Sequence, residues 1–97
     1  MTTYSFVLYV AGQTQRSHEA LENLRALCEA RLRGYYELTV VDAVERPELA
    51  ERWRILATPT VVRLRPVPQR RVIGDLSDQR RAALALGLPN PDEFGGA

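Results

Sequence analysis

Residues Ile55-Leu56-Ala57-Thr58-Pro59-Thr60-Val61-Val62 constrain the fold of this chain more than any other stretch. A helical segment runs into Thr58-Pro59, and an apolar, β-branched strand follows at once. Proline has no amide hydrogen and a fixed φ, so a helical path cannot run through it. The residue before it is driven toward extended backbone. Helix end, tight loop and strand start must therefore meet around Pro59.

At 97 residues the chain has room for one domain. A chain of this size buries roughly two-thirds of its unfolded surface around a single modest core. Apolar content of 45% and charged content of 26% are ordinary for a globular protein. No apolar run approaches the ~18 residues that a membrane span needs. Met1 to Tyr9 lack the basic start and long apolar stretch of a signal peptide. The expectation is a soluble cytoplasmic protein with no membrane partner. Cys28 is the one cysteine, which excludes an internal disulfide framework and any Cys-x-x-Cys pair.

The net charge of +1 gives no general argument for nucleic acid. All thirteen basic residues are arginine, which favours directional pairing with carboxylate or phosphate. From Arg63 to Arg81 six arginines stand against Asp75 and Asp78, and from Glu37 to Arg54 five acids stand against three arginines. Such a division can orient a domain on a partner. The plain alternative is a mixed solvated surface.

Tyr4 to Val10 reads as a buried strand. Ala11-Gly12-Gln13-Thr14 breaks it, and Ser17 is the expected N-cap of a first helix. Leu21, Leu24, Leu27, Cys28 and Leu32 recur at helical spacing, and Gly34 suits the position just past the helix end. Cys28 on that stripe is expected to be a small core residue. Tyr36 to Val41 is the second strand, parallel to the first across a right-handed crossover. Pro47 opens a second helix that runs through Leu49, Ala50 and Trp53. Thr60–Leu64 and Arg70–Ile73 form a hairpin about Arg65-Pro66-Val67-Pro68-Gln69. Ser77 is the expected cap of a third helix, Arg80–Leu86, which Pro89-Asn90-Pro91 would stop. Residues 1–88 then form the domain, and 89–97 a flexible tail.

The order βαβαββα resembles the α/β arrangement of thioredoxin-like domains. The segment around Pro59 resembles their proline loop, where the proline is usually cis and faces the redox-active cysteine pair. Pro59 is therefore a structural cis-proline candidate, on a scaffold whose usual chemistry is missing. No other catalytic constellation replaces it. His18 is the sole histidine and nothing places it as a base or a metal ligand. There is no phosphate-cradling glycine motif. Asp42 and Asp75 read as strand-end and turn residues. No catalytic residue, cofactor or metal is expected.

Leu8-Tyr9-Val10-Ala11-Gly12, Asp42, Pro47-Glu48-Leu49-Ala50-Glu51, the Ile55–Thr60 block and Arg70-Arg71-Val72-Ile73-Gly74-Asp75-Leu76-Ser77 together resemble the circadian clock protein KaiB family. The resemblance covers about residues 4 to 88. It implies a non-enzymatic regulator that binds the N-terminal ATPase ring of a KaiC-type RecA-like ATPase. It also implies competition with SasA-like or CikA-like histidine kinases. The family is metamorphic, with a βαββααβ resting form that tends to tetramers and a thioredoxin-like binding form. Such forms differ by only a few kcal/mol.

This chain departs from the family pattern where residues late in the sequence set that balance. Ala85 and Gly87 stand where members often carry Gly-x-Asp. Alanine for glycine favours helix by about 1 kcal/mol. Pro89 and Pro91 make a poor interior strand. The change at Gly87 nearly cancels, since relief from an acid near the helix end is offset by glycine's poor helix propensity, so Ala85 and above all the two prolines carry the bias toward the thioredoxin-like form. Thr39 replaces a lysine linked in the family to KaiA, and Gln15 replaces a proline. Both argue against a KaiA partner. Arg54, Arg70 and Arg71 are the candidate partner contacts, each equally readable as a solvated or edge-strand charge. Two other readings remain open. One is an adaptor of a stress or signalling pathway with a different partner. The other is a thiol-dependent redox enzyme, which the missing cysteine disfavours.

Overall fold

The computed structural model describes residues 2–91. Seven elements follow in order: β1 (Tyr4–Val10), α1 (Gln15–Leu32), β2 (Tyr36–Asp42), α2 (Pro47–Arg52), β3 (Thr60–Arg65), β4 (Arg70–Ile73) and α3 (Gln79–Leu86). The expected βαβαββα order is the order observed. The strands form one sheet in the order β2-β1-β3-β4. β1 pairs parallel with β2, Phe6 opposite Leu38, and antiparallel with β3, Leu8 opposite Val61. β3 and β4 form the antiparallel hairpin, Val61 opposite Val72.

Strand alternation separates the two faces of the sheet. Phe6, Leu8, Val10 and Val61 face a core completed by Leu24, Leu27, Cys28 and Leu32 of α1 and by Ala82, Ala83 and Leu86 of α3. Cys28 is fully buried there, as its place on the apolar stripe predicts. Tyr9 and Val62 are also buried but alternate to the opposite face. The end of α2 lies on that side. The helix itself contributes no buried residue.

The helix starts correct two sequence expectations. α1 is capped by Thr14, whose Oγ1 accepts the Ser17 N–H at 3.1 Å. Ser17 lies inside the first turn and is buried. The chain becomes helical sooner because Gly12, at φ 75°, turns it straight out of β1. α3 is capped by Asp78, whose Oδ1 accepts the Arg81 N–H at 3.0 Å. Ser77 stays in the turn before the helix, where its N–H donates to Asp75 Oδ1 at 3.0 Å. Asp75 is thus a turn residue, as expected. It prepares the left-handed Leu76 (φ 64°), which turns its side chain into the core.

α3 also ends earlier than its prolines require. Gly87 adopts φ 67°, its N–H reaches the Leu84 carbonyl at 3.1 Å, and the Leu88 N–H reaches Ala83 at 2.9 Å. This is a left-handed glycine closure, complete two residues before Pro89. The tail expected from residue 89 begins with Pro89, whose carbonyl lies 3.4 Å from Arg31 Nη1. The rest of that expectation, residues 92–97, lies outside the described residues. Among the described residues no helix is long and apolar enough to cross a membrane.

Candidate functional site

The Thr58-Pro59 peptide is cis, and so are Arg65-Pro66 and Val67-Pro68. The loop is tied on both sides. Thr60 Oγ1 donates to the Ala57 carbonyl at 2.6 Å, and the Gly74 N–H donates to the Pro59 carbonyl at 2.8 Å. Pro59 and Thr60 are buried, whereas Leu56 is 93% exposed. The β1–α1 connection carries Gly12-Gln13-Thr14 and no thiol. The Cys28 thiol sits in the core, where burial, then the nearby Glu29 charge, push it up to about 12. A thiol so placed is protonated at neutral pH and is a poor nucleophile.

Asp42, at the end of β2, does more than end a strand. Its Oδ1 accepts the Val44 N–H at 2.9 Å and the Gly12 N–H at 3.2 Å, joining the β2–α2 and β1–α1 connections. These backbone donors, Val44 foremost, hold its carboxyl below the usual carboxylate value.

At the far end of α2 the backbone closes in a Schellman motif. The Ile55 N–H reaches the Ala50 carbonyl at 2.8 Å, and the Arg54 N–H reaches Glu51 at 3.1 Å. Arg54 takes the left-handed position at φ 52°, a place usually given to glycine. Its side chain is exposed. Trp53 is the half-buried C-cap and not part of the helix proper.

The three candidate arginines do not converge. Arg71 reaches across from β4 to this corner, donating from Nη2 to the Trp53 carbonyl at 3.0 Å and from Nη1 to the Arg54 carbonyl at 3.2 Å. Arg70, one residue earlier, alternates to the other face of the sheet. There it lies beside Gly87, close to where a Cβ on that glycine would fall.

Sequence reading passed over Arg63. It is only 4% exposed, in the middle of the sheet. Nη1 donates to the Leu86 carbonyl at 2.8 Å and Nη2 to the Pro68 carbonyl at 2.7 Å, while the guanidinium lies 5.8 Å from the centre of the Tyr4 ring. Burial, then the Arg70 charge, lower its pKa from the usual arginine value. Its charge is met by two carbonyls, that of Leu86 at the negative end of α3 and that of Pro68 in the β3–β4 turn. The signal was present in the sequence: Arg63 shares the strand parity of Val61, so it must point to the core face.

His18 is exposed. Among the described residues no three His, Cys, Asp or Glu side chains gather as a metal site.

The fold and this site define a class: a thioredoxin-like domain with no thiol at its proline loop. Solved structures agree on the fold. The N-terminal domain of Synechococcus elongatus SasA superposes with a TM-score of 0.72 at 23% identity, over 87% of this chain and 81% of that one. Mitochondrial thioredoxin 3 of Saccharomyces cerevisiae gives 0.69 at 16% identity, over 90% and 79%. The KaiB domain family model matches residues 7–88. The circadian clock oscillator protein KaiB of Parasynechococcus marenigrum is 50% identical over 89% of this chain and 83% of its own length. That of Prochlorococcus marinus is likewise 50% identical, over 89% and 72%. The chain belongs to the KaiB family.

Proposed function

We propose that this chain is a non-enzymatic clock or signalling regulator of the cytoplasm that docks on the N-terminal ATPase ring of a KaiC-type ATPase. The observation that carries the reading is a KaiB-family chain in a thioredoxin-like fold with no thiol at the proline loop. Docking of one folded surface on another fits such a site; thiol exchange does not. Arg54, exposed on a closed backbone corner, is the leading contact, with Arg70 a separate charge on the opposite face. SasA-like or CikA-like histidine kinases compete for the same docking place, the former having a sensory domain of this fold.

The thioredoxin-like form is the principal state. Ala85 lies inside α3, Gly87 closes it, and Pro89 and Pro91 follow beyond the end of that helix. In the alternative βαββααβ form this region would be a strand, against the preferences of Ala85, Pro89 and Pro91. NMR secondary shifts that report strand at 82–88 would sink this part of the reading.

The test of docking is co-elution with the KaiC-type ATPase of the same organism, with and without ATP. Prompt complex formation is expected, since the chain already holds its binding form. Formation over many minutes would retain the partner but replace the principal state. Absence of a complex in every nucleotide condition would favour an adaptor with a different partner.

A further inference from the structure

Resting on the reading of Arg54 as a partner contact, we propose that Arg71 is its positioning residue. Arg71 braces the end of α2 so that the Arg54 guanidinium is presented to a carboxylate-bearing partner surface. α2 has six residues and buries none of them fully; Leu49, Ala50 and the C-cap Trp53 are half-buried, so packing restrains its end only in part. Its closure nevertheless places Arg54 at φ 52°, a conformation disfavoured for any residue with a Cβ. A disfavoured conformation persists only where its surroundings over-determine it. The Schellman bonds at Ile55 and Arg54 use the Ala50 and Glu51 carbonyls and leave those of Trp53 and Arg54. Arg71 takes both of these with the two prongs of one guanidinium.

The brace has a firm base, because the Arg71 backbone is fixed in the β3–β4 ladder opposite Val62. A planar fork can hold two carbonyls at once, whereas a lysine ammonium acts as a point charge on a flexible stem. The Arg54 guanidinium, by contrast, has no hydrogen-bond or ion-pair partner among the described residues. One arginine is spent on the backbone and its neighbour in space is displayed. The charge that fits the displayed one is a carboxylate.

The test pairs two readouts on the full chain. Amide hydrogen exchange at Arg54 and Ile55 should quicken by about 10-fold in Arg71→Ala and in Arg71→Lys, as expected for loss of a local restraint. It should not change in Arg65→Ala, an exposed charge elsewhere. Affinity for the KaiC-type ATPase should fall by about 10-fold in Arg54→Ala and in Arg71→Ala. The double variant should lose no more than about twofold beyond either, because one residue acts through the other. Additive losses would mean that Arg71 touches the partner itself, and unchanged exchange would mean that it braces nothing; either overturns the proposal. A wild-type chain that binds no ATPase overturns the partner reading alone. Exchange would then still decide whether Arg71 is a brace.

Discussion

At Gly87 two demands fall on one residue. The backbone is left-handed, and a Cβ there would lie 2.9 Å from Arg63 Nη1 and 3.0 Å from Arg70 Nε. Gly87→Ala is expected to destabilise the fold by about 1–2 kcal/mol from the backbone term alone. Displacement of the buried Arg63 guanidinium adds to it. Gly34, equally left-handed, has nothing within 4 Å of its Cβ position. Gly34→Ala should therefore cost less, and urea melts of the two variants measure the difference. Cys28 makes a chemical prediction. With its thiol at about 12 and the residue fully buried, it should not react with a thiol reagent at pH 8 in the native protein. It should react fully in denaturant. Native labelling at the rate of a free thiol would refute the core placement.

Between elements, short polar links do work that packing does elsewhere. Asp42 joins two connections at the same end of the sheet, Asp75 forms the turn before α3, and the Arg46–Glu48 pair sits at the start of α2. Backbone donors lower Asp42 and Asp75 from 3.8, and Arg46 lowers Glu48 from 4.5. Their folded values lie below their unfolded ones. Their contribution is therefore complete above the unfolded values and is lost as the pH falls through the folded ones. The urea midpoint should be level from about pH 7 to 5 and drop below about pH 4. Asp42→Asn keeps an oxygen acceptor without a titrating charge, so it should flatten part of that drop. Asp42→Ala should lower the midpoint at neutral pH as well. A drop of the same depth in wild type and Asp42→Asn would show that this carboxylate is not among the causes.

For the molecule as a whole, a thioredoxin-like fold without the dithiol leads to a direct expectation. With a dithiol donor the chain should reduce a protein disulfide no faster than the donor alone. Robust turnover would revive the redox-enzyme reading. The order of elements was legible because each has a local cause. β-Branched and aromatic runs marked the strands, the leucine stripe marked α1, and Pro47 and Pro59 marked where backbone could not continue as before. Helix caps were less legible. Thr14 and Ser17 are both good caps, as are Ser77 and Asp78, and only the path of the preceding loop chooses between them.

The candidate site was legible in part. The resemblance to the KaiB family singled out Arg54, Arg70 and Arg71 in the chain. Sequence could not tell that adjacent arginines would part to opposite faces, or that Arg71 would be used on the backbone carrying Arg54. By itself the sequence determined the fold class, the absence of a dithiol and the family, since these depend on residue types at local spacing. Tertiary structure alone decided which arginine is spent and which is displayed. That outcome depends on where the end of α2 meets β4, a contact between segments 17 and 18 residues apart. No local propensity encodes it; it exists only once the sheet has fixed both partners.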